Sequence, residues 1–212
     1  MPALLLHDLW DVTDQLRAGG PVMIPLVVVS IVMWMLIVNR AVFLRAMYRK
    51  NMSRSLAGEH VRHNIFPDTR AYRGATALLV REFLKRRSGD PEVDRFILDE
   101  TVLSVIASFD RHLATIGVLA AVAPLLGLLG TVTGMIATFD VLCAFGTGNA
   151  AGLASGISEA LITTQTGLLV AIPGLYIWHF LSRRVLNLKH RVASVGIYLK
   201  RSLEPGEIPC ST

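Results

Sequence analysis

Two long apolar segments, 112–139 and 156–181, constrain this chain more than any other feature of its sequence. Each is longer than the roughly 20 residues that an α-helix needs to cross the hydrocarbon core of a bilayer. Each also carries hydroxyl groups, and the second carries a carboxylate, Glu159. A helix that only anchors a protein needs none of these groups, because polar side chains are costly in lipid. We therefore expect two membrane helices whose polar residues face protein rather than lipid.

Small residues recur at spacings of three and four along both segments, which places them on one face of each helix. Such a stripe lets two helix backbones approach closely in lipid, where no hydrophobic drive brings helices together. The expected packing glycines are Gly127, Gly130, Gly134 and Gly167. The first stripe comprises Gly117, Ala120, Ala121, Pro124, Gly127, Thr131, Gly134 and Thr138, and the second Gly156, Ala160, Thr163, Gly167, Ala171 and Gly174.

The composition indicates a small multi-span membrane protein with a charged portion, since 52% of the 212 residues are hydrophobic and only 17% are charged. The net charge of +5 does not indicate a nucleic-acid partner, because the basic residues flank apolar segments and no interleaved aromatics accompany them. No nucleophile elbow, phosphate loop or H-E-x-x-H motif occurs, so we expect no enzyme activity. His60 and His63 lack further ligands at metal-site spacing, and we expect no metal or other cofactor.

The chain is predicted to be all-α, with three transmembrane helices and with helices two and three extended into the cytoplasm. The helix after Asp90 should begin with that residue as N-cap and Pro91 at the first helical position, and should continue into the membrane without a break. The predicted segments are an interfacial amphipathic helix at 1–20, with a frayed tail as the alternative; the first span at 21–45; a cytoplasmic helical domain at 46–111, with helices near 69–87 and 91–111; the second span at 112–139; a periplasmic loop at 140–155; the third span at 156–181; and a cytoplasmic C-terminal helix and tail at 182–212.

The distribution of basic residues predicts the orientation of the spans. The 140–155 segment has no Lys or Arg, whereas 40–111 and the segment after Leu181 are rich in both. Because cytoplasmic loops carry the excess of Lys and Arg, the N-terminus should lie outside and the C-terminus inside. Arg40, near the end of the first span, should extend to the headgroups.

The polar residues of the second and third spans lie at comparable depths if the two helices are antiparallel neighbours. Thr131 and Thr164 would each lie about 12 Å from the outer end, and Glu159 about 7.5 Å closer to that end. A carboxylate above a ring of hydroxyls suits a cation or proton path. The alternatives are hydroxyls that bond to the carbonyl one turn earlier and a carboxylate at headgroup level without a task. Pro124 and Pro173 would either kink their helices or act as hinges.

Two motifs carry a resemblance to a known family. The stretches APLLGLLGTVTGMI at 123–136 and GISEALITTQTGLLVAIP at 156–173 resemble the MotA/TolQ/ExbB proton-channel family, nearest to its ExbB and TolQ branch. The number of spans and the large block after the first span extend the similarity over most of the chain.

The resemblance implies a homopentamer in the bacterial inner membrane, whose second and third helices line a pore around the single spans of an ExbD- or TolR-like dimer with an essential Asp. By motif position, Thr131 and Thr164 would be the pore hydroxyls and Glu159 the pore carboxylate near the outer side. The assembly would convert the proton motive force into work on a TonB- or TolA-like protein. A structural membrane scaffold and a MotA-like stator component remain as alternatives.

Overall fold

The computed structural model describes residues 19–49, 52–68 and 72–203, and within these ranges it contains helices and no strand. Three helical stretches are long and apolar enough to cross a membrane, namely Met23–Tyr48, Pro91–Phe145 and Ala150–Ser202. This agrees with the predicted all-α membrane protein. The helices are α1 (Met23–Tyr48), α2 (Arg54–Arg62), α3 (Ala75–Arg86), α4 (Pro91–Ser108), α5 (Leu113–Phe145) and α6 (Ala150–Ser202), with a short 3₁₀ turn at Gly146–Gly148.

The chain divides into two compact units, and α1 and α6 contribute to both. Unit 1 comprises Met1–Ile37, as far as it is described, and Ala114–His179; unit 2 comprises Val38–Leu113 and Phe180–Thr212, with the same restriction. The core of unit 1 joins α1, α5 and α6. It is built from Met33, Ile37, Ile116 and Ala120, against which Leu36, Leu119, Val170, Ile177 and Trp178 pack.

In unit 2, α3 packs against α2 and α4. Helices α2 and α4 lie against the C-terminal part of α6, since a Cβ atom at Gly58 would lie 3.2 Å from the Tyr198 ring and one at Gly196 would lie 2.6 Å from the Val102 side chain. Phe83 of α3, Leu98 of α4 and Leu188 of α6 are fully buried. Two ion pairs join α6 to the rest of this unit, since Lys189 Nζ lies 2.6 Å from Asp110 Oδ2 and Lys200 Nζ lies 2.5 Å from Asp99 Oδ2. The predicted C-terminal extension of the third helix is confirmed, because α6 continues to Ser202. Its apolar residues Val185, Leu188, Val192 and Val195 are all buried.

A buried carboxylate closes the turn between α3 and α4. The Asp94 side chain is 1% exposed and accepts hydrogen bonds from Arg87 Nε at 2.9 Å and from the Ser88 backbone N–H at 2.8 Å. Burial raises the pKa of Asp94, but the hydrogen bonds from Ser88, Arg87 and Gly89 outweigh it, so the pKa lies below its ordinary value. The start of α4 is as predicted, since Asp90 accepts from the Glu92 N–H at 3.0 Å and Pro91 begins the helix.

The expected uninterrupted helix from 91 into the second span is wrong. A four-residue turn at 109–112 separates α4 from α5, and His112 has a φ of 63°. The side chain of Arg40, which was expected to extend to the headgroups, is buried within the protein, and its guanidinium donates to the Phe109 carbonyl. This donor satisfies a carbonyl that a helix end leaves without a partner. The contact at the break joins residues 69 positions apart, which no local sequence pattern predicts.

Other boundaries also differ from those expected. Helix α2 lies in a stretch for which no helix was predicted, with Ser53 as N-cap accepting from the Leu56 N–H at 3.3 Å. Helix α3 begins at Ala75 rather than near 69. The expected 140–155 loop is mostly helical, because α5 ends at Phe145 and α6 begins at Ala150. Asn149 stabilises the start of α6 by accepting from the Gly152 N–H at 3.0 Å. The amphipathic helix predicted at 1–20 lies almost wholly outside the described residues.

Candidate functional site

The packing of α5 against α6 in unit 1 forms the candidate site, which we call the α5–α6 seam. The six small residues of the stripe predicted for the third span are all buried on α6. On α5 the buried face is rotated slightly from the predicted stripe, because Ala123 and Gly130 are buried whereas Ala121 is exposed. The seam comprises Ala120, Ala123, Gly127, Gly130, Gly134 and Thr138 on α5 and Gly156, Ala160, Thr163, Gly167, Ala171 and Gly174 on α6.

Glycines bring the two backbones of the seam close together. A Cβ atom at Gly127 would lie 3.1 Å from the Thr163 carbonyl oxygen, and one at Gly167 would lie 2.8 Å from the Ala123 carbonyl oxygen. A Cβ atom at Gly134 would lie 2.9 Å from the carbonyl oxygen of Gly156. Because these neighbours are backbone atoms, a larger residue at any of the three glycines requires the helices to separate. The fourth expected packing glycine, Gly130, faces the side chain of Thr163 instead.

The two threonines singled out in the sequence both donate their hydroxyl protons to the backbone. Thr131 Oγ1 donates to the Leu128 carbonyl at 2.7 Å. Thr164 Oγ1 lies 3.0 Å from the Gly127 carbonyl on α5 and 3.3 Å from the Ala160 carbonyl on its own helix. The alternative of backbone bonding therefore describes Thr131, while Thr164 also bridges the seam. Both residues are half-buried, and their oxygens keep lone pairs that can accept a hydrogen bond.

Thr163 and Thr138 belong to the seam, although neither was singled out as a functional residue. Thr163 Oγ1 lies 3.0 Å from the carbonyl oxygens of both Glu159 and Ala160, and its side chain is fully buried. Thr138 Oγ1 donates to the Gly134 carbonyl at 2.9 Å. Their place in the small-residue stripes indicated burial, but the stripes did not distinguish a seam hydroxyl from a pore hydroxyl. These two hydroxyls are buried between α5 and α6 and are not accessible from outside the seam.

Glu159 lies one turn before Thr163 on α6 and is half-buried. Its carboxylate lies against the backbone of Gly20, just before α1 begins. The sequence offered no signal for this contact, because the two residues are far apart in the chain and Gly20 carries no side chain. Glu159 is thus near α1 as well as on the helix that bears Thr164.

Pro124 and Pro173 lie inside α5 and α6, and both helices continue past them. Pro124 is half-buried and Pro173 is exposed. The static geometry is compatible with a kink and with a hinge. Among the described residues, no three His, Cys, Asp or Glu side chains cluster as metal ligands would.

Comparisons with known proteins identify relatives of this chain. The sequence model of the MotA/TolQ/ExbB proton channel family matches residues 68–194. The chain is 35% identical over 206 residues to an ExbB-like 1 biopolymer transport protein of Synechocystis, a match that covers 88% of this chain and 77% of the relative. It is 36% identical over 118 residues to the biopolymer transport protein ExbB of Salmonella typhimurium, covering 54% and 45% respectively. It is 28% identical over 190 residues to ExbB of Neisseria meningitidis, covering 79% and 85%.

Proposed function

This chain belongs to the ExbB branch of the MotA/TolQ/ExbB proton channel family, and we propose that it is the multi-span subunit of a proton-driven motor in the bacterial inner membrane. With an ExbD- or TolR-like single-span partner, it would convert the proton motive force into work on a TonB- or TolA-like protein. The observation that carries this proposal is the α5–α6 seam. The two helices that pack along it also bear the half-buried Thr131 and Thr164 hydroxyls and the Glu159 carboxylate. These polar groups lie on helices that are otherwise apolar, as a proton path through a membrane requires.

The proposed orientation places the N-terminus outside and the C-terminus in the cytoplasm. The connection between α5 and α6, at 146–149, has no basic residue, whereas unit 2 contains most of the Lys and Arg side chains. Unit 2 would therefore lie on the cytoplasmic side, following the bias of cytoplasmic segments toward positive charge.

The proposed assembly is a homopentamer around the partner helices. Because the small residues of the seam are occupied within one chain, contacts between copies should use other faces of α5 and α6. Those faces carry large exposed apolar side chains, which are suited to lipid or to a neighbouring copy. They include Leu125, Leu128, Val132 and Ile136 on α5 and Leu161, Leu168, Leu169 and Ile172 on α6.

The proposed proton path uses Thr131, Thr164 and Glu159. The hydroxyl protons of the two threonines are committed to backbone carbonyls, so their oxygens are available as acceptors. An acceptor at this level would stabilise the protonated carboxyl group of a partner Asp, because that group has an O–H to donate. Glu159, closer to the proposed outer end, would attract the cation and keep the entrance hydrated.

The test replaces each of these three residues with a residue of similar shape, in cells that also contain the partner protein. Thr131→Val and Thr164→Val should assemble but lose energy transduction, since valine keeps the volume and deletes the acceptor, whereas Glu159→Gln should retain part of the activity. The measurement is partner-dependent outer-membrane uptake or Tol-dependent envelope integrity.

Two neighbouring threonines provide matched controls for this test. Thr133 and Thr166 are also half-buried and donate to the Gly130 and Ile162 carbonyls at 3.0 and 2.8 Å. Thr133→Val and Thr166→Val delete the same kind of hydrogen bond about 200° around each helix from Thr131 and Thr164, and both variants should work normally. If Thr131→Val and Thr164→Val both assemble and work at normal rates, the hydroxyls are structural and the proposed path is wrong. A passive scaffold predicts that outcome.

A further inference from the structure

Gly20, just before α1, lies directly against the Glu159 carboxylate. Its backbone has a φ of 65°, a conformation that residues with a side chain rarely adopt. A Cβ atom at this position would overlap Glu159 Oε1 and would lie 2.7 Å from Cδ and 3.3 Å from Cγ. The backbone conformation therefore favours glycine at position 20, and a side chain there would require the Glu159 carboxylate to move.

The contact lies immediately before the first turn of α1. The Met23 N–H donates to the Gly20 carbonyl at 3.2 Å, and the Ile24 N–H donates to the Pro21 carbonyl at 3.4 Å. The first turn of a helix carries the positive end of the helix dipole. A carboxylate is therefore well placed at this end of α1.

We infer that Gly20 is a positioning residue for Glu159, holding open the space in which the carboxylate lies. The inference rests on the proposed role of Glu159 and adds that the start of α1 helps to determine where this carboxylate lies. Substituting Gly20 should thus act through Glu159, although residue 20 bears no polar side chain and lies outside the three segments predicted to span the membrane.

A double-mutant cycle measures whether Gly20 acts through Glu159. Gly20→Ala should reduce partner-dependent uptake several-fold when Glu159 is present, because the new methyl group displaces the carboxylate. In a Glu159→Ala background, where no carboxylate remains to be displaced, the same substitution should cost less than about twofold. A glycine needed only to begin α1 would instead cause equal losses in both backgrounds, and that result would overturn the inference.

Gly146 provides the matched control for backbone conformation. It also has a positive φ, of 68°, but a Cβ atom there would meet nothing within 4 Å. Gly146→Ala should therefore show only the effect of the left-handed conformation and leave uptake near normal. A loss as large as that of Gly20→Ala would mean that conformation alone explains both substitutions, which would also overturn the inference.

Cross-linking tests the position of Gly20 without reference to activity. In the full chain with Cys143→Ser and Cys210→Ser, the pair Gly20→Cys and Glu159→Cys should form an intrachain disulfide on mild oxidation, since disulfides need Cβ atoms about 3.5–4.5 Å apart. The pair Gly20→Cys and Ser158→Cys should not, because adjacent residues point about 100° apart around a helix. Peptide mass mapping identifies the product, and equal yields from both pairs, or none from the first, would contradict the placement.

The two experiments separate this inference from the proposed function. If Glu159→Ala works normally while the disulfide forms, the proposed role of Glu159 is wrong and Gly20 has no functional group to position. If Glu159→Ala fails and the disulfide does not form, the proposed function stands and only the positioning role of Gly20 is overturned.

Discussion

Individual polar side chains in this protein are mostly satisfied by backbone atoms rather than by one another. The threonines of the seam donate to carbonyls, Arg40 donates to Phe109, and the Asp94 carboxylate accepts from the backbone of Ser88. A buried polar atom without a partner costs about 1–3 kcal/mol, so each of these bonds stabilises a particular local backbone arrangement. The hydrogen-bonding capacity that each of these side chains has left therefore depends on which backbone carbonyl or N–H group it already binds.

Asp94 leads to a prediction about pH. Its pKa is lower in the folded protein than in the unfolded chain, so the stability it contributes is complete above its unfolded pKa of about 3.9 and is lost as the pH falls through its folded pKa. Asp94→Asn should lower the thermal unfolding temperature at pH 7, and the difference from the parent protein should shrink once the pH falls below about 4. Thermal unfolding by circular dichroism in detergent measures this. Glu92→Gln, at an exposed residue of the same helix, should show little effect at either pH.

At the scale of elements, the association of α5 with α6 depends on the absence of side chains along the seam. Gly127 and Gly167 approach each other directly, since a Cβ atom at Gly167 would lie 3.2 Å from Gly127 Cα. Helices in lipid gain from close packing and have no hydrophobic drive to associate. The seam should thus tolerate larger side chains poorly, even apolar ones.

The prediction for these elements compares leucine inside and outside the seam. Gly127→Leu and Gly167→Leu should separate the helices and so lower both the folded yield and the amount of intact oligomer. Ala121→Leu adds the same kind of side chain on the exposed face of α5 and should be tolerated by the fold. Native mass spectrometry in detergent shows how much of the purified protein is intact oligomer. An unchanged folded yield and an unchanged amount of intact oligomer for both glycine variants would contradict the role assigned to the seam.

At the scale of the whole molecule, the membrane-length helices expose mainly leucine, isoleucine and valine beyond the seam. An apolar wall of this kind dewets and blocks ions, so a pore built from it conducts only when an ionisable group is added. In the proposed motor that group is the partner Asp, because at the proposed level of the path this chain offers only the Thr131 and Thr164 hydroxyls, which cannot ionise near neutral pH, and Glu159 lies closer to the entrance. Conduction should therefore belong to the complex rather than to this chain.

Liposomes provide the test at this scale. The purified chain alone should show little proton flux under an imposed pH gradient or membrane potential, measured with an internal pH dye. Co-reconstitution with the ExbD- or TolR-like partner should raise the flux, and a partner whose Asp is replaced by Asn serves as the control. A robust proton current through the chain by itself would exclude the proposed division of roles.

The sequence by itself determined the features that depend on local spacing. Periodicity of small residues predicted the buried face of α6, the Asp90–Pro91 pair predicted the start of α4, and the apolar stretches predicted three membrane-length helices. These predictions succeeded because neighbours along the chain decide which side of a helix a residue occupies and where the helix begins.

Only the tertiary structure decided which residues meet across the chain. Thr164 bonds to Gly127 over 37 positions, and Arg40 donates to the Phe109 carbonyl at the end of α4 over 69 positions. Glu159 lies against a glycine that has no side chain to suggest a contact. Such pairs leave no periodic signal in a single sequence, because each residue of the pair fits the local helix or turn pattern equally well whether or not the other residue is present. The physical reason is that backbone carbonyls and N–H groups are present at nearly every position, so the sequence does not mark which of them a polar side chain will reach.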